Sequence, residues 1–271
     1  MSISVVFIIK NGIKQGYCFW ESLQSCLPFA DELIISDGHS DDGTFEYLMK
    51  FAKKYRSEVS TIMYQDEWEE VSYHGEVISM VSQRAINHAS KEWVYYLQAD
   101  EIIPPETADY IKDFADKDAF GSEDSGGYNS LGFPFWHFIR QWQPSQEGYR
   151  SAVRMVRNGC GYLKGDAWTF TGDDIVPTYD SLCPKPIFHF AWCFPKQNDV
   201  KDIEHSKLYQ NFPCYQEKAK KAMKSLESDL EPYPRTDFDD FPELARRFVG
   251  KAMYELPDLG SWGEMIRKKR I

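Results

Sequence analysis

Two carboxylates stand where a run of large apolar residues stops. Trp93 to Leu97 reads WVYYL, and it gives way to Gln98-Ala99-Asp100-Glu101 shortly before Pro104 and Pro105. An aromatic and aliphatic run of that length predicts a buried strand. Proline cannot continue the ladder and suits the first turn of a helix. The acids therefore fall at the carboxyl end of the strand, where ligands of open α/β sheets bind. Burying such a pair is costly unless a cation, a donor or water meets it. A hard divalent ion carrying a phosphate-bearing ligand is its natural partner. A solvated loop that caps the next helix fits the same residues as well. A second stretch, DGHSDDGT at 37–44, has the Asx and Gly chemistry of tight turns and helix caps.

Such residues act together only if their strands end together. Ser4 to Ile9 predicts a first strand, and Phe19, Leu23 and Leu27 a helix over 16–27 that Pro28 closes. Glu32 to Ser36 predicts a second strand. Thr44 then opens a helix with Phe45, Leu48, Met49 and Ala52 at i, i+3, i+4 and i+7. Val59 to Tyr64 predicts a third strand, and Val77, Ile78, Val81 and Ala85 a helix near 75–88. Strands alternating with helices through short connections give a parallel sheet covered on both faces. No GxGxxG or GK[ST] loop occurs, which weakens the common dinucleotide and P-loop readings.

Further on, a helix at 106–117 precedes a polar Gly/Ser-rich loop at 118–128. Residues 129–140 and 149–156 predict mixed, antiparallel strands around a loop, QWQPSQEG. Turn-rich sequence at 164–177 and a strand at 186–194 follow. From Lys201 the chain reads as helical and charged, and it ends on the basic RKKR at 267–270. The expected organisation is one α/β domain over 1–197 and a helical extension over 198–271.

The net charge of −11 argues against nucleic acid as a partner. No window reaches eighteen apolar residues, so no transmembrane segment is expected, and the amino-terminal run is too short for a signal peptide. Six cysteines without paired metal spacing read as reduced thiols of a cytoplasmic protein. The basic tail is either a solvated terminus or a weak peripheral contact with an anionic membrane.

Two blocks carry a family likeness. ELIISDGHSDDGT at 32–44 resembles the second-strand signature of family 2 glycosyltransferases. SQRAINHASKEWVYYLQADE at 82–101 resembles that family's next block, which ends in D-x-D. YRSAVRMVRNGCGYLKGDAWTF and IFHFAW look like its acceptor-side half. The likeness covers roughly residues 3–195. It implies the GT-A fold, an α/β nucleotide-sugar-binding sheet with a mixed acceptor half. It also implies inverting transfer of a sugar from a nucleotide-diphosphate sugar to a glycan or lipid-linked hydroxyl acceptor, assisted by Mn²⁺ or Mg²⁺.

Residue by residue, the likeness assigns Asp37 to the donor's base, Arg84 to the base or diphosphate, and Asp100 to the metal. Asp42 holds its loop and caps the following helix. Gln98 replaces the first acid of D-x-D, removing one charge from the metal site. Glu101 either assists the ion through water or caps the next helix. His189 matches a third metal ligand, and an imidazole suits Mn²⁺ better than Mg²⁺; a hydrogen-bonded core histidine is the alternative. An acceptor-side carboxylate must act as base. Asp166 is the first choice, with Asp173 and Asp174 behind it, although each is also an ordinary turn residue. Trp168 and Trp192 are candidates to stack on the acceptor sugar, with core packing as the default for them and for Trp136 and Trp142. The substitution at Gln98 leaves a second function open, a non-catalytic nucleotide-sugar- or glycan-binding module.

Overall fold

The structure, a computed structural model, describes residues 2–68, 75–118, 128–139, 143–145, 150–173, 175 and 182–192, with scattered positions between 202 and 221. Strands β1 (Ile3–Ile9), β2 (Glu32–Asp37), β3 (Ser60–Gln65) and β4 (Trp93–Leu97) pair in parallel in the order β3-β2-β1-β4. Helices α1 (Phe19–Cys26), α2 (Thr44–Tyr55) and α3 (Glu76–Ile86) connect them. Every residue of β1, β2 and β4 is buried, which is why these strands read as continuous apolar runs. Ile3, Val5, Phe7, Leu33, Ile35, Trp93 and Tyr95 pack beneath α1, α2 and α4 (Pro105–Asp118). Val6, Ile8, Ile34, Val94 and Tyr96 face Val77, Val81 and Ala85 of α3. The period of two along each strand thus divides the core into two layers.

Beyond β4 the sheet becomes mixed. It continues through β8 (Ser151–Arg157), β6 (Ser130–Ile139) and β11 (Ile187–Trp192) to β5 (Glu101–Ile102). Among the described strand pairs of this half, β6–β11 is parallel and the others are antiparallel. A short strand, β7 (Gln143–Ser145), adds to β6 within the stretch expected as a loop. The turn-rich region holds half of a small hairpin, β9 (Tyr162–Leu163) and β10 (Phe170–Thr171), whose Leu163 and Phe170 join the α3 layer. The α/β fold with a parallel nucleotide-type half and a mixed second half is the one expected. The expected extension at 198–271 lies outside the described residues apart from the scattered positions.

The connection between β4 and β5 bends this sheet. Only Gln98, Ala99 and Asp100 separate them, yet four strand-to-strand steps lie between them in the sheet. Laid flat, those steps span about 19 Å. Four Cα steps reach at most about 14 Å. The mixed half must therefore curl back over the end of β4.

At the opposite edge, Glu32 ties three segments together. Its carboxylate accepts from Ser4 Oγ at 2.5 Å, Ser90 N at 2.9 Å and Ser90 Oγ at 2.8 Å. Burial works to raise its pKa, but the hydrogen bonds from Ser4 and Ser90 and the charge of Lys91 outweigh it and hold the carboxyl below its ordinary 4.5. A depressed carboxyl stabilises the fold above the unfolded-state pKa and loses that contribution as pH falls through the folded value. Glu32→Gln is expected to cost about 2 kcal/mol near neutral pH. The gap from wild type should narrow below about pH 4.5, read by urea unfolding across the acid range.

Candidate functional site

Parallel register sets which loops meet. Ile9 lies opposite Asp37, Asp37 opposite Gln65, and Phe7 opposite Leu97. The loops after β1, β2, β3 and β4 therefore leave the sheet at one edge, and Asp37 and Asp100 share it. Asp37 is wholly buried at the end of β2. Its Oδ1 accepts from Ser40 Oγ, and its Oδ2 from Ser40 N at 2.9 Å and Gln65 Nε2 at 3.1 Å. Ser40 Oγ in turn accepts from Asn11 N, and Asn11 Oδ1 accepts from Asp41 N. Asp42 Oδ1 accepts from Thr44 N at 3.0 Å and its Oδ2 from Lys14 N, so it holds its loop as expected and fixes the loop after β1. The cap position of α2 belongs instead to Gly43, with no side-chain cap bond.

The loop after β3 is tied from two sides. Arg84 of α3 donates from Nε to Asp66 Oδ2 at 2.9 Å and from a terminal nitrogen to Glu67 O at 2.6 Å. The indole of Trp68 packs on Gly38 so closely that a Cβ there would stand 2.6 Å from Nε1. Only glycine fits beside Asp37 while Trp68 holds that position.

Asp100 meets a histidine. The Nε2 of His189 stands 3.5 Å from Asp100 Oδ1, and both side chains are largely buried. The short β5–β11 pairing creates this meeting, because it sets His189 opposite Glu101 and lets Phe190 N donate to Asp100 O at 2.7 Å. In the neighbouring register His137 of β6 lies opposite His189, and their Nδ1 atoms are 2.8 Å apart. Contact between two Nδ1 atoms needs a proton on one ring and a bare lone pair on the other. The same contacts fit a neutral His189 in either tautomer: one donates from Nδ1 to His137 and leaves Nε2 bare, as a metal-ligating imidazole requires, and the other donates from Nε2 toward Asp100.

Among the described residues no group of three or more His, Cys, Asp or Glu side chains is placed to hold a metal ion. Asp100 and His189 could supply two donor atoms to an ion. Ligand atoms at about 2.1 Å from one ion lie about 3.0–3.4 Å apart when adjacent, close to the separation seen.

Glu101 is held by a charge from another strand. It is wholly buried and accepts a hydrogen bond at Oε1 from Arg154 of β8, itself wholly buried. Arg154 also donates to Trp168 O and, at 3.4 Å, to Ala167 O. Its guanidinium lies 5.6 Å from the Tyr96 ring and 5.2 Å from that of Phe135. Burial first, then the charge of Glu101, push the Tyr95 phenol well above its usual range, so it stays neutral. Gln98 turns its amide toward Ala167 O at 3.5 Å. The amide of the D-x-D position thus faces the turn that carries Asp166.

In that turn Asp166 sits between Gly165 and Ala167, both at positive φ, 57° and 56°. Trp168 is 41% exposed, Asp173 is exposed, and Trp136 is buried and stacked on Phe188. Trp192 ends β11 with its side chain outside the described residues, as are Asp174 and Trp142. Sequence reasoning missed His137 and Arg154. Each left a signal: a histidine in FWHFI mirrors the one in IFHF, and a charge interrupts the apolar run SAVRMV.

No family model and no curated protein matches the chain. Among solved structures it is similar to S. aureus TarS 1-349 in complex with UDP-GlcNAc, at 21% identity and a TM-score of 0.35, over 52% of this chain and 35% of that one. With the same protein in complex with UDP the values are 15% and 0.44, over 90% and 78%. With the mannosyltransferase PcManGT from Pyrobaculum calidifontis, in complex with GDP-Man and Mn²⁺, they are 14% and 0.41, over 97% and 83%. The chain thus spans about a third of the first of these. Likenesses this distant leave the function to be read from the chain's own residues.

His137→Phe removes the nitrogen that meets His189. The expected cost is about 1 kcal/mol. Long-range ¹H–¹⁵N spectra should show one protonated and one bare Nδ1 in the wild-type pair, and a shifted His189 Nδ1 in the variant.

Proposed function

We propose that this protein is an inverting glycosyltransferase that moves a sugar from a nucleotide-diphosphate donor to a hydroxyl acceptor. The observation that carries the reading is the Asp100–His189 pair, 3.5 Å apart, on the sheet edge that Asp37 shares. Asp37 serves the base side of the donor. Three donors occupy three of its roughly four lone-pair positions, leaving one on Oδ1 for an imide N–H. Because Asp37 is wholly buried, a base reaches it only when the loop around it opens. Arg84, in the last turn of α3, holds the loop after β3 and brings its own charge to the diphosphate. Gln98 offers an amide to a ribose hydroxyl.

Asp100 and His189 would hold a divalent ion, Mn²⁺ suiting the imidazole better than Mg²⁺. Bound there, the ion would neutralise charge building on the departing nucleoside diphosphate. Asp166 takes the proton from the acceptor hydroxyl as its oxygen attacks the anomeric carbon. The bond from that carbon to the diphosphate oxygen breaks on the opposite face, and its electron pair leaves with the nucleoside diphosphate. Trp168 gives the acceptor sugar an apolar surface to lie on. Among the described residues no helix is long and apolar enough to cross a membrane, and a glycan or lipid-linked acceptor remains within the proposal.

A second reading rests on Gln98, whose neutral amide turns toward Ala167 O. In that reading the protein binds a nucleotide sugar or glycan without turnover. Turnover in Gln98→Asp with an inert wild type would select it.

Calorimetry with UDP, GDP and dTDP checks the main proposal. Wild type is expected to bind at least one of them, and Mn²⁺ to tighten that binding about tenfold or more. Asp100→Asn and His189→Ala should each abolish the gain from Mn²⁺. Absence of binding to all three nucleotides would end the proposal.

A further inference from the structure

The two sides of the proposed site are joined by a pair of charges that neither ligand touches. Glu101 and Arg154 are both wholly buried. On one side, Glu101 Oε2 accepts from Gln98 N at 3.2 Å, within the turn that presents Asp100. On the other, Arg154 donates to the carbonyls of Ala167 and Trp168, within the turn that presents Asp166. Two side chains thus span from the donor turn to the acceptor turn without passing through solvent.

Three observations argue that this span sets geometry as well as filling the core. A buried ion pair is by itself weak support for stability, since apolar residues of like volume serve a core as well or better. What the guanidinium adds is direction: its planar fork meets a carboxylate and two carbonyls at fixed angles. The second observation is Ala167, wholly buried at φ 56°. A non-glycine residue persists in the left-handed region only when its surroundings over-determine it, and such residues cluster at functional sites. Arg154 grips the carbonyl of Ala167 and the next one. The third is the setting, between the rings of Tyr96 and Phe135 at 5.6 Å and 5.2 Å. Without water to compete, hydrogen bonds to the cation are stiffer.

We infer that Glu101 and Arg154 are positioning residues that fix the acceptor turn, with Asp166 and Trp168, against the donor turn, with Gln98 and Asp100. Seating a donor on residues 98–101 thereby orders residues 164–168 before any acceptor arrives. The inference rests on the donor and acceptor assignments proposed above.

Hydrogen exchange read by mass spectrometry tests it without an acceptor. In wild type, the nucleoside diphosphate that binds best, added with Mn²⁺, is expected to slow exchange across both 98–103 and 164–170. Arg154→Lys keeps the charge and loses the fork. There the nucleotide should still protect 98–103 while 164–170 exchanges at its nucleotide-free rate. Should Arg154→Lys fail to fold, the double variant Glu101→Gln/Arg154→Met, which leaves no lone buried charge, takes its place with the same expectation. Protection confined to 98–103 in wild type overturns the inference. So does a variant that protects both segments as wild type does, or one that loses both together, which marks a purely structural role. If no nucleotide binds wild type, neither segment is protected; the donor assignment then falls, and the inference with it.

Discussion

Three residues between two strands constrain this molecule more than any other feature. Gln98, Ala99 and Asp100 must carry the chain from the inner strand β4 to β5 on the far edge of the sheet. So short a link is possible only if the mixed half of the sheet folds back over the end of the parallel half. That curl brings β11 alongside β5, and with it His189 beside Asp100. It also encloses the space into which Arg154 projects. The candidate site follows from the shortness of this link.

Closing the curl leaves charge inside. Glu101 faces no solvent, and an unpaired carboxylate there would be strongly disfavoured. Arg154 answers it from β8, and a second nitrogen of the guanidinium donates to the carbonyls of Ala167 and Trp168. His137 and His189 meet by the same logic, each ring supplying what the other lacks. At the parallel edge the solution is different. There the polar groups belong to loops, and Asn11, Asp37, Ser40, Asp42 and Thr44 lace two of those loops together through backbone N–H groups. One rim is thus held by hydrogen bonds to the backbone within and between two loops, and the other by buried charges.

Much of the first rim could be read from the chain. DGHSDDGT announces a turn before a helix, and Asp42 holds that turn. WVYYL announces a buried strand and supplies one of the inner strands of the sheet. These signals are local: a turn residue bonds its own neighbours, and a strand covered on both faces has little choice but to be apolar. The second rim was less legible. Glu101 in QADE looks like a helix cap, because nothing near it in sequence shows that Arg154 will stand within hydrogen-bonding reach. The loop expected over 141–148 contains β7, whose pairing depends on β6.

The sequence by itself determined the alternation of strand and helix over the first hundred residues, the edge at which Asp37 and Asp100 emerge, and the turn that Asp42 holds. Apolar periodicity and turn chemistry act over a few residues, so they are written where they operate. Tertiary structure alone decided that Asp100 meets His189, that His137 stands behind it, and that Glu101 belongs to Arg154. Those meetings join residues 52 to 89 positions apart. Strand order sets them, and strand order is fixed only when the whole sheet closes.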